Sequence, residues 1–260
     1  MPKASRNVVI LTHGWTGSSV FAALMGRAGC WLGSETVVKT DYDTFENADL
    51  VAWNRRLLAM FAPQLDHEHH FEPADVTRIE RAADSLDLQP LREFVARCQV
   101  HGAFVWKDPR LTWTIRIWAR VLDLERTDFL VLTREDLQAW ISANARRHVQ
   151  SWSYTRKYNH GITESNSVFV RSLGRPVVRM SFEDLLLEPE DTLARLNTRF
   201  GLAICLSDLM HVCREPLYRR SRGWLDLLQA TGIYVKNFGE RDGRRRNRPA
   251  RQTSSAASSL

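Results

Sequence analysis

Short apolar runs alternate with stretches of helical periodicity along most of this chain. Asn7-Val8-Val9-Ile10-Leu11-Thr12 is the first run, and after a turn of small residues Val20, Leu24 and Ala28 return at helical spacing. A strand, a loop and a helix are predicted in that order. Asn47 can cap a second helix, in which Leu50, Val51, Asn54, Leu57, Leu58 and Phe61 draw one stripe to lay on a sheet. Residues 62–90 are rich in His, Asp, Glu and Pro and read as a surface excursion. Pro90 then opens a helix with Leu91, Phe94, Val95 and Cys98 on one face. Three more buried-strand candidates follow: Ala103 to Trp106, Asp128 to Thr133 and Pro176 to Met180. The stretch Trp152 to Ser172 is mixed and poorly periodic, and reads as a substrate-facing insertion.

Strands alternating with helices predict an α/β fold, a mostly parallel sheet flanked by helices. Ligands of such sheets bind beyond the carboxyl ends of the strands. That rule singles out His13 to Ser19 after the first strand, Lys107 to Arg110 after the second and Arg134 after the third.

Composition narrows the class. With 260 residues, 44% of them hydrophobic, the chain can build a core without staples. Its four cysteines have no CxxC spacing and read as reduced thiols, which fits a cytoplasmic protein. No run approaches the roughly 20 apolar residues that cross a bilayer, and Met1-Pro2-Lys3 leads into a strand with no signal-peptide pattern. The formal charge is +6, but residues 241–260 alone hold six arginines and one aspartate, so the body is nearly neutral. A general nucleic-acid-binding surface is therefore not expected. The stretch 241–260 reads as a disordered terminus, or as an arm for anionic substrates or membrane surfaces.

The loop His13-Gly14-Trp15-Thr16-Gly17-Ser18-Ser19 joins a strand to a helix, where backbone N–H groups and a helix N-terminus favour a phosphate and Ser18 and Ser19 add hydroxyls. It lacks the lysine of a nucleotide-triphosphatase loop. Trp106-Lys107-Asp108-Pro109-Arg110-Leu111 ends a strand and leaves two cations nearby; these serve a ligand or pair with Asp108. Arg134 closes the third strand, with Ser142 eight residues on. Three strand ends thus offer donors and cations without a dinucleotide fingerprint, which points to a compact polyanion.

These motifs resemble the sulfotransferases that use 3′-phosphoadenosine 5′-phosphosulfate (PAPS), over most of residues 7–222 and particularly the bacterial small-molecule and carbohydrate type. The loop carries Gly14, Gly17 and Ser19 of the family's GxRSGTS pattern, with Thr16 and Ser18 as conservative replacements. The segment from Asp43 to Leu58 is similar to the family's GYWENRDLVRLNRRLL, the WKDPRL run is typical, and Met180 to Leu196 follows the closing FEDLL pattern. The resemblance implies a P-loop-like sulfotransferase domain over residues 1–236, followed by a basic tail over 237–260. It implies sulfuryl transfer from PAPS to a hydroxyl or amine of a small-molecule, carbohydrate or lipid acceptor, with no metal. It places Arg134 and Ser142 on the 3′-phosphate and Arg110 and residues 14–19 on the phosphosulfate. The family's base is a Glu or a His; Glu46 is the first candidate here and His13 the second. Either has a plain alternative: Glu46 complements a helix N-terminus, and His13 holds its turn by a backbone bond. Trp15 stands where the family usually has Arg or Lys, which moves that cation's work to Lys107, Arg110 or the loop's backbone donors.

Two other readings remain open. A fold with Trp15 in this position can bind PAPS or its bisphosphate product without turnover. An α/β-hydrolase is suggested by Leu11-Thr12-His13-Gly14-Trp15, but the chain has no GxSxG elbow. The run His67-Glu68-His69-His70 has no partner set spaced for a metal and reads as a solvated loop. Trp15 and Trp152 are the tryptophans expected at a site, and most of the others are expected in the core.

Overall fold

The structure is a computed structural model, and it describes residues 6–39, 42–213 and 223–243. The chain runs β1 (Asn7–Thr12), α1 (Ser18–Arg27), β2 (Thr36–Val38), β3 (Asp43–Asn47), α2 (Ala48–Phe61), α3 (Pro73–Ala82), α4 (Gln89–Val100), β4 (Val105–Lys107) and α5 (Leu111–Trp118). It continues through β5 (Thr127–Thr133), α6 (Asp136–Ala145), α7 (Trp152–Ser172), β6 (Val178–Ser181), α8 (Phe182–Leu187), α9 (Pro189–Phe200), α10 (Leu206–Val212) and α11 (Trp224–Lys236).

Four strands form one sheet in the order β4-β1-β5-β6, and every neighbouring pair is parallel. The alternation within β1 explains why both faces are covered. Val9 and Leu11 join Trp106, Phe129 and Val131 in a core roofed by α2, α3, α4, α5 and α7. Val8 and Ile10 join Val105, Leu130, Leu132 and Met180 in a second core under α1, α8, α9 and α10. The expected α/β class is the one observed. The short antiparallel pair β2 and β3 stands apart from this sheet.

The cap expected at Asn47 forms, its side chain accepting from Leu50 N at 3.1 Å. Two expectations are corrected. Residues 62–90 are not a plain surface excursion: α3 buries Val76 and Ile79, and Phe71 joins the same core. The stretch Trp152 to Ser172 is not an irregular insertion but one helix of 21 residues, capped by Ser151. Its buried stripe includes Thr155, Asn159, Asn166 and Ser167, so a helical period written partly in polar letters is invisible to a hydrophobicity reading.

The described chain also passes the expected domain boundary at residue 236. The Asp242 carboxylate accepts from Ser151 N at 2.7 Å and from Ser151 Oγ at 2.9 Å, and Asp242 N donates to Val149 O. These bonds tie residues up to Gly243 to the start of α7. The rest of the expected tail, 244–260, lies outside the described residues.

Candidate functional site: a cationic crevice at the strand ends

The carboxyl ends of β1, β4 and β5 open into one crevice of about 490 Å³. The β1–α1 loop forms its floor. Gly17 sits there with φ 74°, and a Cβ on it would stand 2.3 Å from the Phe182 ring, so only glycine lets α8 approach this closely. Val20 N donates to the N-cap carbonyl Gly17 O at 2.9 Å, and Ser18 and Ser19 open the helix at the crevice, where helix N-terminal N–H groups favour an anion. Gly14, Trp15, Thr16, Gly17, Ser18 and Ser19 all line the crevice.

Lys107 enters from the end of β4, almost completely buried. Its Nζ donates to Glu46 Oε1 at 2.7 Å and to Ser19 Oγ at 3.4 Å. Two residues chosen separately from the sequence thus meet as one ion pair between β3, β4 and the loop. Next to it, buried Asp108 acts as a clamp. Its carboxylate accepts from Arg110 N, from Arg110 Nη1 at 2.9 Å and from Asn54 Nδ2 at 2.9 Å. Asn54 Oδ1 accepts in turn from Thr114 and Trp118. Burial pushes the Asp108 carboxyl above the usual range while Arg110 pulls it back. The pairing of Arg110 with Asp108 fixes the guanidinium at the rim and leaves its buried Nε without a hydrogen-bond partner.

Arg134 leaves the end of β5 and donates from Nη1 to Trp15 O at 2.8 Å, with Glu183 Oε1 3.5 Å from its Nε. That Nε is also buried without a hydrogen bond. Burial lowers the guanidinium from the usual arginine value, with Glu183 opposing. Ser142, two turns along α6, lines the same crevice. Arg110 Nε is thus a buried nitrogen without a hydrogen bond, whereas Arg134 Nε faces the Glu183 carboxylate.

Trp15 adopts φ 67°, a left-handed conformation that costs energy for a bulky residue. Its surroundings hold it. Arg134 takes its carbonyl, while the Arg146 guanidinium lies 5.2 Å and Lys39 Nζ 5.9 Å from its ring centroid. Both cations also face the Tyr42 ring, and Arg146 Nη1 donates to Tyr42 Oη at 3.3 Å. The tryptophan therefore collects two cations from other elements at the position where a basic side chain was expected.

His13 is placed elsewhere. It is buried, donates from Nδ1 to Gly14 O at 2.7 Å, and lines a separate cavity of about 390 Å³ with Asp136, His160 and Arg179. Burial drives its pKa down to about 4. This is the turn-holding arrangement, and His13 does not line the main crevice. Trp152, expected at a site, is half exposed at the start of α7 and also does not line it.

Sequence reading missed Lys39, Tyr42, Arg55, Arg146 and Arg147, all of which line the crevice, and ranked His148, which also lines it, only as a weaker candidate base. The basic triplet Arg146-Arg147-His148 directly after the Arg134 and Ser142 helix was the available signal. His148 stacks on His69 at 4.0 Å, and burial, with His69 next, lowers its pKa to about 4. His67 and Glu68 reach the crevice as well, so the run His67-Glu68-His69-His70 is not simply a solvated loop. One ligand atom from each of Glu68, His69 and His148 lies within 4.8 Å of the others.

Seven lysine and arginine side chains line this crevice against two glutamates. Fold and site together define an α/β protein with a cation-lined crevice at the ends of parallel strands. Among solved structures the chain is similar to the sulfotransferase domain from the curacin biosynthetic pathway, with TM-score 0.49 and 12% identity over 85% of this chain and 80% of that one. It is also similar to the sulfotransferase domain from the Synechococcus PCC 7002 olefin synthase, with TM-score 0.48 and 12% identity over 90% of this chain and 96% of that one. No protein-family model and no curated protein sequence matches the chain.

Proposed function

We propose that the protein is a PAPS-dependent sulfotransferase acting on a hydroxyl or amine acceptor. The observation that carries this reading is the concentration of charge: a body of nearly zero net charge gathers seven cations in one crevice around a strand-to-helix loop. A nucleotide with a 5′-phosphosulfate and a 3′-phosphate has anionic groups at both ends. The loop from Gly14 to Ser19, with Lys107 and Arg110, takes the phosphosulfate, and Arg134 with Ser142 takes the 3′-phosphate.

In transfer, the acceptor oxygen or nitrogen attacks sulfur in line. The bond from sulfur to the bridging oxygen breaks, its electron pair stays on the 5′-phosphate, and the acceptor's proton passes to Glu46. Lys107, held between Glu46 and Ser19, faces the charge that develops on the bridging oxygen. Arg146 and Lys39, gathered on Trp15, supply the positive charge that the loop itself lacks. His13 positions the loop and touches no reacting atom.

The test is incubation with PAPS carrying labelled sulfate and a panel of phenols, alcohols, amines, sugars and lipids. Transfer to any of them, lost in Lys107→Ala, is the expected result. Tight binding of adenosine 3′,5′-bisphosphate with no transfer to any acceptor favours a binding module instead.

A further inference from the structure

The second cavity, of about 390 Å³, adjoins the crevice across Arg134 and Asn159, which line both. It is walled by the ends of β1 and β5, by Arg179 of β6 and by one side of α7, where Asn159 and Thr163 stand one turn apart, as do His160 and Glu164. Its volume is that of a small-molecule pocket. Its chemistry differs from that of the crevice. Two arginines, Arg134 and Arg179, meet two acids, Asp136 and Glu164, so no surplus of positive charge is left for a polyanion. These charges are also engaged with one another or with neighbours. Asp136 accepts from His160 at 2.9 Å and from Arg156 at 3.0 Å, Glu164 accepts from Arg179 at 3.0 Å, and Arg134 lies against Glu183. Among the described residues, no Leu, Ile, Val, Met, Phe, Tyr or Trp side chain lines the cavity, so a lipid chain has nothing to lie against.

What stays open in this lining is neutral. His13 donates from Nδ1 to Gly14 O, so its Nε2 carries the lone pair, and that atom has no hydrogen-bond partner among the described residues. Burial keeps the ring uncharged, with its pKa down at about 4. Asn159 Nδ2 is a buried donor with no hydrogen-bond partner. The Thr163 hydroxyl, half-buried one turn along α7, can donate or accept. Buried polar atoms without partners are the exception in folded proteins. A molecule that completes this set must both donate and accept while carrying no charge, which is what adjacent hydroxyls on a ring do. We infer that this cavity binds a neutral polyol of monosaccharide size, its hydroxyls donating to His13 Nε2 and accepting from Asn159 Nδ2. Neither Lys107 nor Glu46 lines it, so the site is separate from the place where sulfuryl transfer is proposed. It rests on its own lining and not on which anion the crevice takes.

Saturation-transfer NMR on the full chain, without nucleotide, tests this with neutral hexoses, N-acetylhexosamines and myo-inositol, each at about 10 mM. At least one of them is expected to bind with a Kd of about 1 mM or tighter. Asn159→Leu, close in shape, is expected to weaken that binding about tenfold or more in a protein that still melts cooperatively. Thr163→Phe, which fills the cavity from a half-buried position and does not touch the crevice lining, is expected to abolish it. If Asn159→Leu does not fold, Thr163→Phe reads the same contact, and Thr163→Val tests the hydroxyl alone. No binding by any of these polyols would overturn the inference. So would binding that Thr163→Phe leaves unchanged in a folded protein, since the polyol would then sit outside this cavity. Neither result bears on the nucleotide reading of the crevice, because no nucleotide is present.

Discussion

Lys107 and Glu46 reach each other from separate strands, and one of them is almost entirely out of water. Removing Glu46 leaves the buried Lys107 charge without its counter-charge, which costs about 3 kcal/mol or more. Glu46→Gln is therefore expected to lower the denaturant midpoint clearly, and Lys107→Met with Glu46→Gln to recover much of the loss. Stability alone does not separate a structural pair from a working one. If Lys107 faces the bridging oxygen, Lys107→Ala lowers kcat for sulfuryl transfer far more than affinity for the bisphosphate, because the contact is made mainly in the transition state. Near-normal transfer by a folded Lys107→Ala protein would end that role. His13 makes a different prediction. With its folded pKa lowered to about 4 from about 6.5, the unfolded chain binds the extra proton between those values, so stability is complete above about pH 6.5 and falls as pH drops toward 4. That loss is on the order of 3 kcal/mol, and chemical denaturation across pH 7 to 4 with His13→Gln as control reads it. At this scale the loop, Lys107, Arg110 and Arg134 were legible because strand ends are where such folds keep their ligands. Lys39 and Arg146 were not, because only the folded chain brings a hairpin and a helix end over Trp15.

Among the elements, β1, the cap at Asn47 and the helix opened by Pro90 were readable from apolar period and capping chemistry. The helix α7 was not, because Asn166 and Ser167 stand where an apolar stripe was sought; they hydrogen-bond instead, Asn166 Nδ2 donating to Thr112 and Ser167 Oγ accepting from Arg179. The hairpin of β2 and β3 is too short to announce itself. Among the glycines, Gly17 leaves very little room for a Cβ, which would stand 2.3 Å from the Phe182 ring. Gly17→Ala adds both a left-handed penalty and a clash, and is expected to cost about 1–3 kcal/mol. Because this loop floors the crevice, a PAPS site there predicts that bisphosphate affinity falls with it, and titration of the folded variant checks this. Unchanged affinity would mean that the loop's position does not matter to the ligand.

At the scale of the whole molecule, a body of nearly zero net charge sets seven lysine and arginine side chains around one crevice. Truncation after residue 236 removes the Asp242 bonds to Ser151 and is expected to cost about 2 kcal/mol, whereas truncation after 243 spares them; thermal melting distinguishes the two. Affinity for the nucleotide should weaken as salt is raised, since the crevice cations lie partly open to solvent. The most direct measurement compares two ligands by calorimetry: adenosine 3′,5′-bisphosphate and adenosine 5′-monophosphate, which differ by the 3′-phosphate alone. A crevice that reads both ends of PAPS binds the bisphosphate at least about 30-fold more tightly, and Arg134→Ala removes most of that difference. Equal affinity for the two nucleotides in the wild-type protein would contradict a PAPS site at this crevice.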